Sequence, residues 1–211
     1  MNKHKLLHQA FWLAALTIAY NLIEGTVSVA FGFQDETLAL FGFGVDSFVE
    51  VISGIGILHM VIRMKKSDVT NSDNFEKNAL RITGSGFYLL SAGLVLSSLL
   101  NIIYGVKPGT TIVGIFVSSI SILTMYFLMT AKLKVGKALN SEAIIADANC
   151  TKTCFYLSFI LLVASGLYEL FGISYFDIIG SLGISYFAYT EGKESFEKAA
   201  TGNIACSCEH D

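Results

Sequence analysis

Proline occurs once in these 211 residues, at Pro108, and charged residues supply only 15% of the chain. A typical globular domain carries about 25% charge. The shortfall removes a water-facing surface of ordinary size, and with it the soluble reading that this length would otherwise suit. Cysteine is scarce too. The four are Cys150, Cys154, Cys206 and Cys208, and their spacing forms no disulfide framework of the extracellular-module kind. Neither sign of charge dominates: the net charge is −3 and no basic cluster is present, which excludes a nucleic-acid partner.

What the chain has in abundance is hydrophobic side chains, 53% of the total. They fall in six runs, about 7–31, 37–62, 80–104, 111–133, 143–171 and 173–192. Each reaches the roughly 20 residues that a helix needs to cross a hydrocarbon core of about 30 Å. Pro108 lies between two runs and inside none. The first run follows Lys3 and Lys5 as a signal peptide would, but it is too long and five similar runs follow it. The expected fold is an all-α membrane protein, a bundle of six transmembrane helices over residues 1–198 with a short tail at 199–211. Small residues recur in the third and sixth runs, at Gly84, Gly86, Ser91 and Gly93, then Gly180, Ser181 and Gly183. They let membrane helices approach closely, within one chain or across a homodimer.

Lysine and arginine set the orientation. With a cytoplasmic N-terminus, the inside set is Lys3, Lys5, Arg63, Lys65, Lys66, Lys77, Arg81, Lys132, Lys134, Lys137, Lys193 and Lys198. The outside set is Lys107 alone, and Lys152 falls within a run. The bias puts both termini in the cytoplasm and the protein in the plasma (inner) membrane as a multi-pass chain.

Ionisable groups inside a membrane are expensive, so the few present are informative. The second run contains Asp46 and Glu50, four residues apart and therefore on one helical face. The fifth contains Cys150 and Cys154 at the same spacing, with Asp147 a turn earlier. Lys152 projects from roughly the opposite side. With a rise of about 1.5 Å per residue, counting inward from each membrane boundary brings Asp46 level with Cys154 and Glu50 level with Cys150. Two carboxylates and two thiols at one depth suit a tetrahedral divalent ion such as zinc. Asp147 is a candidate for an outer partner or entry-path group. In the tail, Cys206, Cys208 and His210 form a loose candidate docking site for a soft metal. Asn21 and Glu24 share a face of the first helix and read as structural or cavity-lining.

These strings resemble the cation diffusion facilitator family over most of the chain, from NLIEG in the first run to FDIIGSLGISYFAYTEGKES in the sixth. ALFGFGVDSFVEVISG is similar to the family's Asp-x-x-x-Asp motif, with Asp46 first and Glu50 second. IIADANCTKTC is similar to its His-x-x-x-Asp motif, with Cys150 in the His position and Cys154 in the Asp position. The resemblance implies a six-helix metal transporter, usually coupled to protons, in which these four residues are ligands. Two departures matter. Thiols favour softer ions, so Zn2+, Cd2+, Hg2+ or copper fit better than manganese, magnesium or iron. Members also usually continue into a cytoplasmic metal-binding domain, whereas this sequence ends soon after its sixth run. Dimerisation and sensing through that domain are therefore not carried over.

The expected function is efflux of a divalent heavy-metal cation, with protons as counter-ion, the bilayer as setting and a second copy of the chain as partner. No enzymatic activity is expected. The alternatives are a non-transporting membrane metal receptor, or an intramembrane thiol oxidoreductase using Cys150 and Cys154. Against the latter, an i, i+4 helical pair holds its Cβ atoms about 5–6 Å apart, beyond the roughly 3.8 Å of a disulfide.

Overall fold

Each apolar run corresponds to a single helix, to within two residues at its start. The computed structural model of the chain describes residues 3–35, 37–66, 74–105 and 107–201. Its elements are α1 (Lys3–Gln34), α2 (Leu38–Lys66), α3 (Asn74–Tyr104), α4 (Ile112–Leu139), α5 (Glu142–Phe171) and α6 (Tyr175–Thr201). Helix α4 overruns its apolar stretch because turn chemistry ends it, not loss of hydropathy. Gly172 at φ 66° and Asn140 at φ 49° adopt the left-handed conformation that closes α5 and α4. Asn140 and Ser141 are all that separate α4 from α5.

The exterior is apolar and the interior is not. Leu89, Ile103, Phe116 and Leu123 are strongly exposed, while Asn21, Glu24, Asp46, Lys132, Asp177 and Lys198 are buried. That is the arrangement of a chain dissolved in lipid, where backbone groups must be satisfied within the helices. Helices α1 to α5 are each long and apolar enough to cross a membrane. The sixth differs. Its 27 residues span about 40 Å at the helical rise, but its uncharged stretch covers only 178–190, between Asp177 and Glu191. Many of its polar groups turn inward: Asp177, Ser181, Ser185, Ser195 and Lys198 are all buried. The protein is an all-α, multi-pass membrane bundle.

Helix α2 sits centrally, touching α1, α3, α5 and α6. Antiparallel pairs form through small residues. On α1 and α2, Gly32 lies against the backbone of Phe41 so closely that a Cβ would come within 2.5 Å of its nitrogen. On α3 and α6, hydroxyls pair across the seam, Ser98 with Ser181 at 2.7 Å and Ser91 with Ser185 at 3.0 Å. Gly84 meets Phe196, Gly86 meets Val49, Gly180 meets Ala164 and Gly183 meets Ile160. Of the small residues expected to permit close approach, Gly93 alone faces open space. The rest pack within one chain.

Two helix starts are capped from another element. Asp177 of α6 accepts the N–H groups of Leu38 and Ala39 at 2.9 and 3.1 Å. Glu169 of α5 accepts the N–H of Thr111 at 3.2 Å, ahead of α4. Both satisfy backbone donors that a helix start leaves over. They tie α2 to α6 and α4 to α5 at the end of the bundle away from the termini.

Candidate metal-ion site

The i, i+4 repeat on α2 puts Asp46 and Glu50 on its inward face, and that on α5 does the same for Cys150 and Cys154. Across this seam the Cys154 thiol donates to Glu50 Oε1. The other oxygen, Oε2, accepts from Asn21 Nδ2 of α1 at 2.9 Å. Cys154 is buried and Cys150 half-buried, and neither is disulfide-bonded. Below the Glu50–Cys154 contact lies a cavity of about 50 Å³, lined by Glu50, Cys150, Cys154, Asp147, Glu191 and Lys198 among others. Asp46 lies outside this lining. It is 2% exposed, and its Oδ1 has no hydrogen-bond partner.

The register differs from the depth count by one helical turn. Cys154 meets Glu50, not Asp46, and Cys150 lies a turn further towards the terminus-bearing end. There it approaches the Lys198 ammonium of α6, 3.7 Å from its sulfur. A slip of four residues is about 6 Å, which helix tilt and boundaries read from polar breaks readily produce.

Charge partners were the part the sequence concealed. Lys132 of α4, read from sequence as a cation of the cytoplasmic side, is 1% exposed. Its ammonium lies 3.0 Å from Asp147 Oδ2 and 3.0 Å from the hydroxyl of Thr151. Asp147, expected near an entry path, lines the cavity as half of this ion pair. Lys198, placed by the sequence in the same cytoplasmic-side set, is 7% exposed and pairs with Glu194 at 2.8 Å. With these two removed, ten of the twelve inside cations remain candidates for the membrane surface. Glu191 and Ser195 join Lys198 on the cavity wall. Their spacing of four and then three residues places them on one face of α6, the signal that could have found them. Lys152 is exposed, with its ammonium 5.7 Å from the ring centre of Tyr156.

As placed, Cys154 pairs with Glu50, Lys132 with Asp147 and Lys198 with Glu194, and the groups do not converge on a single point. Among the described residues, no three His, Cys, Asp or Glu side chains are arranged to hold an ion. Cys206, Cys208 and His210 lie outside the described residues. Chemically, the seam offers a thiol whose proton already faces a carboxylate, beside a water-sized space and within reach of further acids.

No family model matches the chain. It is 28% identical over 171 residues to an uncharacterized transporter of Methanocaldococcus jannaschii, covering 79% of this chain and 60% of that protein. It is 27% identical over 164 residues to transmembrane protein 163 of Xenopus laevis, covering 76% of this chain and 56% of that one. The chain thus spans little more than half the length of these relatives.

Proposed function

We propose that this protein is an alternating-access transporter that exports a soft or borderline divalent cation, zinc or cadmium in character, in exchange for protons. The transport site is Asp46, Glu50, Cys150 and Cys154, as in a cation diffusion facilitator whose fifth-helix ligands have become thiols. The observation that carries this reading is the contact between Cys154 and Glu50 from neighbouring helices, at an internal cavity that Cys150 also lines. The similarity to a transporter supports it.

The chemistry follows from the donor set. A divalent ion at this seam takes the place of the thiol proton that Glu50 now accepts, because thiols bind metals as thiolates. Asp46, with its buried unpaired oxygen one turn along α2, is the next acceptor in line once the helices shift. The cavity is lined towards the end of the bundle that carries the termini, and the basic residues gather there, so loading takes place from the cytoplasm. Cys206, Cys208 and His210 would hand soft ions to that mouth. The working unit is a homodimer in the plasma membrane.

Reconstituted vesicles test this directly. Zn2+ and Cd2+ uptake should far exceed that of Mn2+ or Mg2+, with an opposing proton movement recorded by an internal pH dye. Cys154→Ala should abolish Cd2+ flux while the protein remains folded in the membrane. Undiminished flux in that variant would overturn the site. Wild-type protein that binds Cd2+ without moving it would be a receptor.

A further inference from the structure

Glu24 of α1 is a buried carboxylate that the cavity does not use. Three helices supply its partners. Oε1 accepts from the Tyr20 hydroxyl at 2.8 Å, Oε2 lies 3.2 Å from Ser47 Oγ of α2, and Ser121 of α4 is a third hydroxyl against it. Among the described residues every one of these partners is a neutral hydroxyl. An isolated carboxylate inside a membrane protein is costly unless it is paired or neutralised.

Of the three hydroxyls, Ser47 is the one whose proton is contested. Ser47 has one hydroxyl proton and two acceptors in reach, Phe43 O at 3.0 Å and Glu24 Oε2 at 3.2 Å. If the backbone carbonyl takes that proton, lone pairs of Ser47 face lone pairs of Glu24. A proton on Oε2 resolves the conflict. Glu24 then donates to Ser47, Ser47 donates to Phe43 O, Tyr20 donates to Oε1, and the Ser121 hydroxyl remains a further donor.

We infer that Glu24 is a proton-binding site in its own right, set apart from the metal ligands, and that it carries one of the exchanged protons. The inference rests on the transporter reading above. Hydroxyls connect Glu24 to both ligand helices. Ser47 directly follows Asp46 on α2. Ser121 lies 2.8 Å from Ser158 Oγ of α5, which is in turn 2.8 Å from the carbonyl of Cys154. The titratable groups facing Glu24 are Asp46 and Glu50 from α2 and Tyr20 from its own helix. From α4 the group against it is the hydroxyl of Ser121. Coupling is electrostatic. Ionised Asp46 and Glu50 favour a proton on Glu24, and a divalent ion between them removes that field and releases the proton.

The test is proton counting in proteoliposomes with Cd2+ as the transported ion. Glu24→Gln keeps both hydrogen bonds, its amide donating to Ser47 and its carbonyl accepting from Tyr20. The variant should still bind Cd2+ but move one proton fewer per ion. An unchanged proton count overturns the inference. A second measurement does not depend on the variant's folding or on transport. Wild-type protein in detergent should show the infrared carbonyl band of a protonated carboxylic acid that disappears on Cd2+ addition, and Glu24→Asp should shift it. Absence of any band sensitive to position 24 also overturns it. If wild-type vesicles move no Cd2+, the transporter reading fails, while the infrared band still decides whether Glu24 holds a proton.

Discussion

The buried ion pair on the cavity wall permits a quantitative test by double-mutant cycle. Lys132 and Asp147 lie 3.0 Å apart, with side chains 2% and 14% exposed. Removing one partner of such a pair leaves a buried charge uncompensated, which costs about 3–5 kcal/mol. The two halves are not equivalent. Asp147→Asn strands an ammonium with almost no access to water, so the full range applies. Lys132→Met leaves Asp147 at the cavity edge, where water reaches it, so the cost is closer to the 1–3 kcal/mol, roughly, of a buried group left unsatisfied. The double variant holds no charge and should cost about the same as Lys132→Met alone, so the coupling equals the Asp147→Asn cost, about 3–5 kcal/mol. Reversible unfolding in mixed micelles against SDS measures all four corners of the cycle. Additive single effects, or a larger loss from Lys132→Met than from Asp147→Asn, would refute the burial argument.

Packing and capping give two more tests. Gly32→Ala should lower the melting temperature in detergent, because the new Cβ would sit 2.5 Å from Phe41 N and 2.7 Å from its Cα, overpacking that costs about 1–3 kcal/mol. Gly93→Ala should be neutral or stabilising, since nothing lies within 4 Å and alanine is the better helix former by about 1 kcal/mol. Asp177→Ala should destabilise by about 1–2 kcal/mol through loss of the cap on α2. Amide hydrogen exchange at Leu38 and Ala39 should speed up while the far end of α2 is unchanged; equal exchange would show that the cap contributes nothing.

How much of this was legible beforehand depended on which force fixed each feature. The helix number followed from hydropathy, because lipid leaves the backbone little alternative. Helix ends did not, since α4 runs on to Leu139 until Asn140 turns left-handed, and charge alone does not stop a helix that leaves the bilayer. The facing of α2 and α5 followed from the i, i+4 spacing, while their register slipped by a turn because register depends on tilt and on contacts that no single helix encodes. Lys132 and Lys198 were the larger miss. A lysine near the end of an apolar run reads as a surface cation, and only the position of Asp147, or of Glu194 and Cys150, shows that it points inward. The same limit applied to Glu191, whose face of α6 matters only once that helix is placed beside α2 and α5.

Those lysines change what the interior can bind. Around the seam, with Glu24 set aside as holding its own proton, the formal acids are Asp46, Glu50, Asp147, Glu191 and Glu194, and the formal bases are Lys132 and Lys198, five against two if each of these is ionised. The imbalance of three negative charges is too large for a low-dielectric interior to leave uncompensated. A divalent ion supplies two positive charges and a single proton the third, with the thiols still neutral. Each thiolate formed on binding adds a negative charge and frees a proton, so the ion's charge is partly offset by the ligands that hold it. Under the proposed function, an empty site would therefore hold more protons than a loaded one, which would tie ion and proton occupancy together before any conformational change. Without Lys132 and Lys198 the imbalance would be five, and one divalent ion would leave most of it standing. In the transporter proposed above, the two buried ammonium groups would set the interior's charge to a value that one divalent ion, with protons moving in the opposite sense, can balance.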